Sequence, residues 1–320
     1  MIQEFHAIVN PASGNGRAKR LWLPVAARLR AQGITVWEHQ TSGRGDATRL
    51  ARELVEAGAR EFLVAGGDGT TNEVVNGLFA NGRPLAPDAI LSIIPCGTGR
   101  DFSRSLGIRN VDHAVSLLSA GKVCAVDVGR IAYRDHGAPC ERYFVNVADV
   151  GLGAETAALL NRSSKALGGF LAYLLGATRT ILTFRGRVAR VVVDGETVFH
   201  GPIGMVVLAN GRYHAGGMDM APMASLTDGL LEILVLREVP RRTLLGSLLP
   251  RVYLGRHVGH AAVLHRTGRE VEIKAEDGLP FETDGEQPGT TDLRADVLHR
   301  ALLVRTAAPL CAPAVRRVPR

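Results

Sequence analysis

Residues 62–73 read Phe62-Leu63-Val64-Ala65-Gly66-Gly67-Asp68-Gly69-Thr70-Thr71-Asn72-Glu73. The apolar run ends in a glycine-rich turn, after which apolar residues resume at helical spacing, at Val74, Val75, Leu78 and Phe79. This pattern predicts a strand, a turn and a helix. We expect the glycines at 66, 67 and 69 to adopt positive φ angles. They would bring backbone N–H groups close to a ligand at the helix N-terminus, where negative charge is favoured.

Asp68 lies in the middle of this turn. A carboxylate beside phosphate oxygens is repulsive unless a divalent cation lies between them or the carboxyl group is protonated. The turn therefore indicates metal-assisted phosphoryl chemistry. The alternative is a capping box formed by Thr70 and Glu73, which explains those two residues but not an acid between glycines.

The same order of elements occurs four times in the first third of the chain. Apolar runs at residues 8–9, 34–38, 62–65 and 89–94 each lead into a polar, glycine-bearing loop and then a helix. Four such units predict a parallel sheet with helices on both faces. Because ligands bind outside the carboxyl ends of such strands, we expect the four loops to gather at one edge. These loops are residues 10–17, 41–46, 66–73 and 95–102.

The pattern changes after Asp127, where strand-like runs follow one another with few helices between them. The runs are residues 143–147, 188–193, 203–209, 230–236, 261–265, 270–275 and 279–283. They predict an all-β domain of the sandwich type, with hairpin turns at Gly195 and Gly278. Helical patterns interrupt it at residues 155–182 and 242–249.

The composition indicates a globular chain of one or two domains, since 46% of its 320 residues are hydrophobic and 22% are charged. A formal charge of +7 does not choose among nucleic acid, anionic lipid and nucleotides. The longest nearly uncharged apolar stretch, residues 166–177, is shorter than the ~20 residues of a membrane span, and the N-terminus lacks a signal-peptide pattern. We expect a cytosolic protein. Four cysteines are expected to be reduced thiols: Cys96, Cys124, Cys140 and Cys311.

Four ordered motifs resemble the diacylglycerol kinase catalytic-domain family, which includes bacterial lipid kinases and sphingosine and ceramide kinases. They are Asn10-Pro11-Ala12-Ser13-Gly14, Gly66-Gly67-Asp68-Gly69-Thr70, Pro95-Cys96-Gly97-Thr98-Gly99-Arg100-Asp101-Phe102 and Asp284-Gly285-Glu286. The resemblance extends over residues 5–304. It implies an N-terminal three-layer α/β/α domain like those of NAD kinase and phosphofructokinase, a C-terminal β-sandwich, and an active site in the cleft between them. We expect the first domain to comprise residues 1–127 with a returning segment at 296–306, the second residues 128–295, and a disordered basic tail residues 307–320.

The resemblance also implies a nucleotide site for ATP. Its residues are Asn10, Thr41, Gly66, Gly67, Asp68, Gly69, Thr70, Thr71, Asn72 and Thr98. Asp68 would organise the catalytic Mg²⁺, with Asp101 as a second catalytic acid and Asp127 as a metal-site acid. The alternatives are an N-cap for Asp101 and an ordinary strand-end carboxylate for Asp127. The chain has Arg100 where the family commonly has Asn, and this guanidinium would bind a phosphate oxygen or pair with Asp101.

Two further sites follow from the resemblance. Glu286 matches the family's general base, which takes the proton of the acceptor hydroxyl, although Asp284-Gly285-Glu286 taken alone favours a simple hairpin turn. The Asp228 carboxylate and the carbonyls of Ser225 and Leu230 match a structural Mg²⁺ site. An Asp-Gly β-turn without a metal is the alternative there.

The acceptor side is less defined by sequence. Apolar residues at helical spacing between 167 and 182 predict either a lipid-facing cover or a helix packed on the β-sandwich. We expect an ATP-dependent lipid kinase that takes its acceptor from a membrane surface, at the inner membrane if it is peripherally bound, with no nucleic-acid partner and a homodimer left open. The alternatives are a soluble NAD or sugar-phosphate kinase and a catalytically inert nucleotide- or lipid-binding regulator.

Overall fold

The computed structural model describes residues 4–162, 180–307 and Leu310. They form two compact units, of which the first contains residues 4–128 and 298–307 and the second contains residues 129–162 and 180–297. Most of the predicted apolar stripe, Cys311 and the basic tail lie outside the described residues. Of the stripe, Ile181 is buried and Leu182 is half exposed.

Nineteen strands occur in the described residues. They are β1 (Glu4–Val9), β2 (Thr35–Gln40), β3 (Glu61–Gly66), β4 (Phe79–Ala80), β5 (Arg83–Pro84), β6 (Ile90–Pro95), β7 (Lys122–Asp135), β8 (Ala138–Phe144), β9 (Val147–Gly151), β10 (Arg187–Val193), β11 (Glu196–Ala209), β12 (Tyr213–His214), β13 (Met218–Asp219), β14 (Leu231–Arg237), β15 (Val263–Gly268), β16 (Glu270–Ala275), β17 (Pro280–Thr283), β18 (Glu286–Thr290) and β19 (Leu293–Thr306).

The helices whose bounds lie within the described residues are α1 (Arg17–Ala31), α2 (Asp46–Glu56), α3 (Asp68–Leu78), α4 (Asp101–Ser105), α5 (Val111–Ala120), α6 (Leu152–Arg162), α7 (Arg241–Thr243) and α8 (Leu249–Val252), with a π-helical turn at Leu244–Leu248 between the last two. Among the described helices, none has the length and apolar character required to cross a membrane.

The first unit is the predicted three-layer α/β/α domain. Its parallel sheet has the order β2-β1-β3-β6, and the end of β19 joins β6 in parallel, with Leu303 opposite Ile90. Helix α1 packs with α5, and α2 packs with α3, so that two helical layers cover the sheet. Strands that are covered on both faces consist of continuous apolar runs, and these runs allowed the strands of the first unit to be predicted from the sequence.

The second unit is the predicted β-sandwich. Its antiparallel strands follow the order β18-β17-β9-β11-β10-β16-β19, and β14 pairs with both β11 and β15. The second half of β11 is buried on both faces. Val206 and Leu208 enter the main core, whereas Val207 and Ala209 enter a smaller core that Met218 and Met220 help to form.

Two local predictions were wrong in this unit. The turn at Gly278 does not close a hairpin, because β16 pairs with β10 and β19, whereas β17 pairs with β9 and β18. The run 143–147 is broken between β8 and β9. A long hairpin of β7 and β8, which the sequence analysis did not predict, precedes β9. The turn at Asp194 and Gly195 does join paired strands, β10 and β11.

Candidate functional site

The loops after β1, β2, β3 and β6 are bound to one another at the carboxyl edge of the parallel sheet. The Asn10 N–H donates to the Ala65 carbonyl at 3.0 Å, and the Thr41 N–H donates to the Val9 carbonyl at 2.9 Å. The N–H groups of Cys96 and Gly97 both donate to the Gly66 carbonyl, at 3.0 and 2.8 Å. The edge predicted from the repeated pattern is therefore a single assembled surface of loops.

Glycines allow these loops to approach one another closely. A Cβ atom on Gly97 would lie 2.5 Å from the Gly67 Cα, and one on Gly99 would lie 2.7 Å from Oδ2 of Asp68. The expectation of positive φ angles at 66, 67 and 69 was wrong, since the left-handed glycines of the described chain do not include these three. A Cβ on Gly66 would lie 2.6 Å from the Cβ of Thr70, so this glycine leaves room for the side chain of Thr70.

The Asp68 carboxylate lies at the N-terminus of α4. Its two oxygens accept the backbone N–H groups of Asp101 at 2.9 Å and Phe102 at 3.2 Å. The N-cap alternative for Asp101 was wrong. Helix α4 begins at Asp101 itself, and the carboxylate of Asp68 accepts the N–H groups at its N-terminus. Asp101 is itself buried, with Oδ1 at 3.6 Å from Arg104. The carboxylate of Asp68 thus binds the backbone of a second acid, Asp101, at this edge of the sheet.

The capping-box alternative was also wrong. Glu73 lies beyond the first turn of α3 and accepts the N–H groups of Gly45 at 2.9 Å and Ala47 at 3.1 Å, at the start of α2. Thr70 Oγ1 accepts a hydrogen bond from Asn10 Nδ2 at 3.0 Å. The side chains of Thr70 and Glu73 therefore bind neighbouring loops and do not cap the N-terminus of their own helix.

The remaining predicted nucleotide residues divide into buried and exposed ones. Asn72 is buried, and its Oδ1 accepts a hydrogen bond from Asn76 Nδ2 at 3.1 Å. Thr71 Oγ1 donates to the Gly67 carbonyl at 3.2 Å, whereas Thr98 is exposed.

Burial raises the pKa of the nearby Cys96 thiol to about 11, against a weaker opposing effect of Arg17, so this cysteine is a neutral thiol at physiological pH.

Asp127 is fully buried within β7 rather than at a strand end. Its Oδ1 accepts the Arg300 N–H at 2.7 Å and lies 2.9 Å from His299 Nδ1. Arg300 has a φ of +50°, which is uncommon outside glycine. The strand-end alternative was therefore wrong, and the carboxylate supports an irregular position of β19.

In the second unit, Glu286 follows a tight turn that joins β17 to β18. Asp284 and Gly285 have φ angles of +48° and +93°, as in a type I′ hairpin turn. The Asp284 carboxylate accepts three consecutive backbone N–H groups, those of Val145, Asn146 and Val147, at 2.9, 3.0 and 2.9 Å. The turn is therefore fixed to the start of β9, and Glu286 is half-buried at a defined position.

Comparison with known proteins agrees with this architecture. Residues 4–131 match the model of the diacylglycerol kinase catalytic domain, and residues 146–306 match that of the YegS C-terminal NAD kinase beta sandwich-like domain. The "Diacylglycerol kinase" of Bacillus subtilis is 31% identical over 88% of this chain and 89% of its own length. The chain belongs to the diacylglycerol kinase family.

Other members of the diacylglycerol kinase family and its fold relatives show the same correspondence. A "Probable lipid kinase YegS-like" from Chromohalobacter salexigens is 32% identical over 88% of this chain and 86% of its own. The crystal structure of a diacylglycerol kinase from Bacillus anthracis superposes with a TM-score of 0.70 at 22% identity, covering 97% of this chain and 98% of that one. Yeast NADH kinase, at a TM-score of 0.51 and 10% identity over 96% of this chain and 84% of its own, shares the fold.

The diacylglycerol kinase resemblance also pointed to Ser225, Asp228 and Leu230. Asp228 is exposed, and its Oδ1 accepts the Leu230 N–H at 3.1 Å, which is an Asx turn. Ser225 is buried, with its Oγ at 3.4 Å from Thr227 Oγ1. The Asx turn therefore joins Asp228 to Leu230, and Ser225 binds Thr227 within the same segment.

The sequence analysis did not predict one cluster of polar side chains in this member of the diacylglycerol kinase family. Asp149, His214 and Glu282 lie together in the second unit, with potential ligand atoms within 4.8 Å of one another. Burial and the adjacent Glu282 raise the pKa of Asp149 well above its usual range. Burial alone would raise the pKa of Glu282 too, but His214 and hydrogen bonds to the carboxylate outweigh it, and that pKa is lowered. An acid in the middle of each apolar strand, Val-Ala-Asp-Val and Pro-Phe-Glu-Thr, was the available signal.

Proposed function

We propose that this protein is an ATP-dependent lipid kinase, which transfers the γ-phosphoryl group of ATP to a hydroxyl group of a diacylglycerol-like lipid. The observation that carries the proposal is the edge of four loops in which Asp68 lies among glycines. Membership of the diacylglycerol kinase family supports the reaction class. In this proposal the acceptor is a lipid presented by a membrane surface.

The first unit would bind the nucleotide. Gly97 lies so close to Gly67 that a Cβ on Gly97 would not fit, and in this proposal phosphate oxygens bind beside Asp68 at this glycine-rich edge. The carboxylates of Asp68 and Asp101 suit Mg²⁺, which prefers oxygen ligands, so the residues present fit this ion. When bound, Mg²⁺ neutralises charge on the phosphates during transfer. Asn10, Thr41 and Thr98 lie in the surrounding loops and would help to enclose the nucleotide.

The second unit would supply the base. Proton removal from an alcohol by a positioned carboxylate accelerates phosphoryl transfer to it. Glu286 is suited to this role because the three hydrogen bonds of Asp284 fix the preceding turn. A base on a rigid turn keeps its position relative to the acceptor hydroxyl, which lowers the entropic part of the barrier.

An acceptor panel tests the proposal. The purified chain would be incubated with labelled ATP, Mg²⁺ and mixed micelles containing diacylglycerol, sphingoid bases, ceramide, phosphatidylglycerol or polyprenol. We expect transfer of label to one lipid class, dependent on Mg²⁺. Parallel reactions with NAD and sugar phosphates are the control. Label in a soluble acceptor, or nucleotide binding without transfer to any acceptor, would contradict a lipid kinase.

We further propose that Asp228, with the carbonyls of Ser225 and Leu230, binds a structural Mg²⁺. Asp228→Ala should lower both the melting temperature and its response to Mg²⁺, measured without nucleotide. Asp228→Asn is the sharper variant, because the amide oxygen can still accept the Leu230 N–H while the charge is lost. We expect this variant to melt like wild type in EDTA and to lose the stabilisation by Mg²⁺. An equal Mg²⁺ response in both proteins would reduce Asp228 to a turn residue.

A further inference from the structure

Two acids lie directly opposite each other on the adjacent antiparallel strands β9 and β17. Asp149 is in register with Glu282, and the side chains are 2% and 1% exposed. Their neighbours Val150 and Phe281 enter the main core, so the two acids are on the other face of the sheet. Like charges in directly opposite positions are destabilising, and burial increases the cost, so two ionised carboxylates here would require a positive partner unless one of them is protonated.

His214, on the short strand β12, faces both acids with the same nitrogen. Its Nε2 lies 3.0 Å from Oε1 of Glu282 and 3.8 Å from Oδ2 of Asp149. The other oxygen of Asp149, Oδ1, accepts the Ala154 N–H at 2.8 Å. One oxygen of each acid is therefore directed to one imidazole nitrogen.

An imidazolium ion satisfies this arrangement incompletely. It carries one positive charge against two carboxylates, and a single N–H faces both of them. Oε2 of Glu282 is buried, and no hydrogen bond of ordinary geometry reaches it from the residues that the structure describes. Glycine at 153 preserves the space around the cluster, because a Cβ there would lie 2.3 Å from Oδ2 of Asp149.

We propose that Asp149, His214 and Glu282 bind a divalent transition-metal ion of the Zn²⁺ class. Zn²⁺ takes imidazole nitrogen and carboxylate oxygen at about 2.0–2.2 Å, which places tetrahedral ligand atoms about 3.4 Å apart. The observed separations of 3.0 and 3.8 Å lie on either side of that value. A mixed nitrogen and oxygen set favours Zn²⁺ over Mg²⁺, which prefers oxygen alone.

The ion would stabilise this part of the second unit, and this effect can be measured independently of the proposed kinase activity. It would tie β12 to β9 and β17, and β17 leads through the turn at Asp284 and Gly285 to β18. Three protein ligands leave a fourth position for water. The expected consequence is a metal-dependent melting temperature.

The test uses the full chain, stripped of metal with a chelator and studied without nucleotide. We expect wild type to bind one Zn²⁺ per chain in competition with a chelating dye, and its melting temperature to rise with Zn²⁺. Co²⁺ in place of Zn²⁺ should give visible absorption bands of a four-coordinate ion. Excess Mg²⁺ should not displace either metal.

Two variants assign the ligands. Glu282→Gln and His214→Gln should each weaken Zn²⁺ binding by more than about 100-fold, since the loss of a group that only supports a ligand already costs 10–100-fold. Without metal, Glu282→Gln should melt no lower than wild type, because the substitution removes one of two negative charges that lie opposite each other. His265→Gln is the matched control, since His265 forms a histidine–carboxylate pair with Glu232 in the same unit.

Several results would overturn the proposal. Absence of Zn²⁺ binding by wild type would do so, as would equal binding by wild type and His214→Gln. A metal-free Glu282→Gln that melts well below wild type, together with no effect of Zn²⁺ on wild type, would show instead that His214 and Glu282 form a simple ion pair.

Discussion

Asp68→Asn is expected to remove nearly all phosphoryl transfer while the chain remains folded. The side chain keeps its size but loses the charge that would bind Mg²⁺ beside the phosphates. We expect a loss on the order of 10²–10³-fold in kcat, as for the removal of one group that stabilises transition-state charge. Steady-state rates at saturating ATP and Mg²⁺ measure it.

The hydrogen bonds of Asp68 add a smaller effect on stability. The two N–H groups at the start of α4 bind different oxygens of the carboxylate, and Asn offers only one oxygen. We therefore expect a loss of about 1 kcal/mol in the free energy of unfolding, comparable to the loss of a helix cap. Asp112→Asn, at the exposed first turn of α5, is the matched control and should change neither quantity. A folded Asp68→Asn variant with near-normal turnover would exclude the proposed metal role.

Glu286→Gln is expected to slow the chemical step without weakening nucleotide binding. If general-base catalysis is its whole role, kcat should fall roughly 10²–10⁴-fold. The turn before Glu286 is fixed by Asp284, so the amide should occupy the position of the carboxylate and the fold should be unaffected. Single-turnover rates and the dissociation constant of ATP, measured by calorimetry, separate the two effects.

A second glutamate provides the comparison for Glu286. Glu272 is half-buried on β16 of the same unit, and Glu272→Gln removes the same charge from a residue outside the family motifs. It should retain wild-type turnover. If ATP affinity collapses in Glu286→Gln, or if both variants lose activity equally, Glu286 is not the base.

The sequence alone determined the arrangement of strands, loops and helices in the first unit. Apolar runs such as residues 62–65 and 89–94 correspond to β3 and β6 within one or two residues. Parallel strands that are buried on both faces are continuously apolar, and glycine-bearing loops follow them here. Both features can be recognised in short segments of the sequence. The convergence of the loops at one edge followed from this regularity without any knowledge of side-chain contacts.

The tertiary structure decided which partners the polar residues have. Asp68 binds the start of α4, Glu73 binds the start of α2, and Asp284 binds the start of β9. Each of these bonds joins residues that lie far apart along the chain. Local rules offered a capping box for Glu73 and a simple hairpin turn for residues 284–286, because such rules consider only near neighbours.

The same reason explains the cluster of Asp149, His214 and Glu282. The ten histidines show no metal-ligand spacing along the chain, Glu282 falls in the predicted strand 279–283, and Asp149 lies outside the predicted strands and helices. Strand register placed Asp149 opposite Glu282, and the position of β12 brought His214 to both. Register and strand order depend on how the whole sandwich buries its apolar faces, and that balance is reached only in the folded chain.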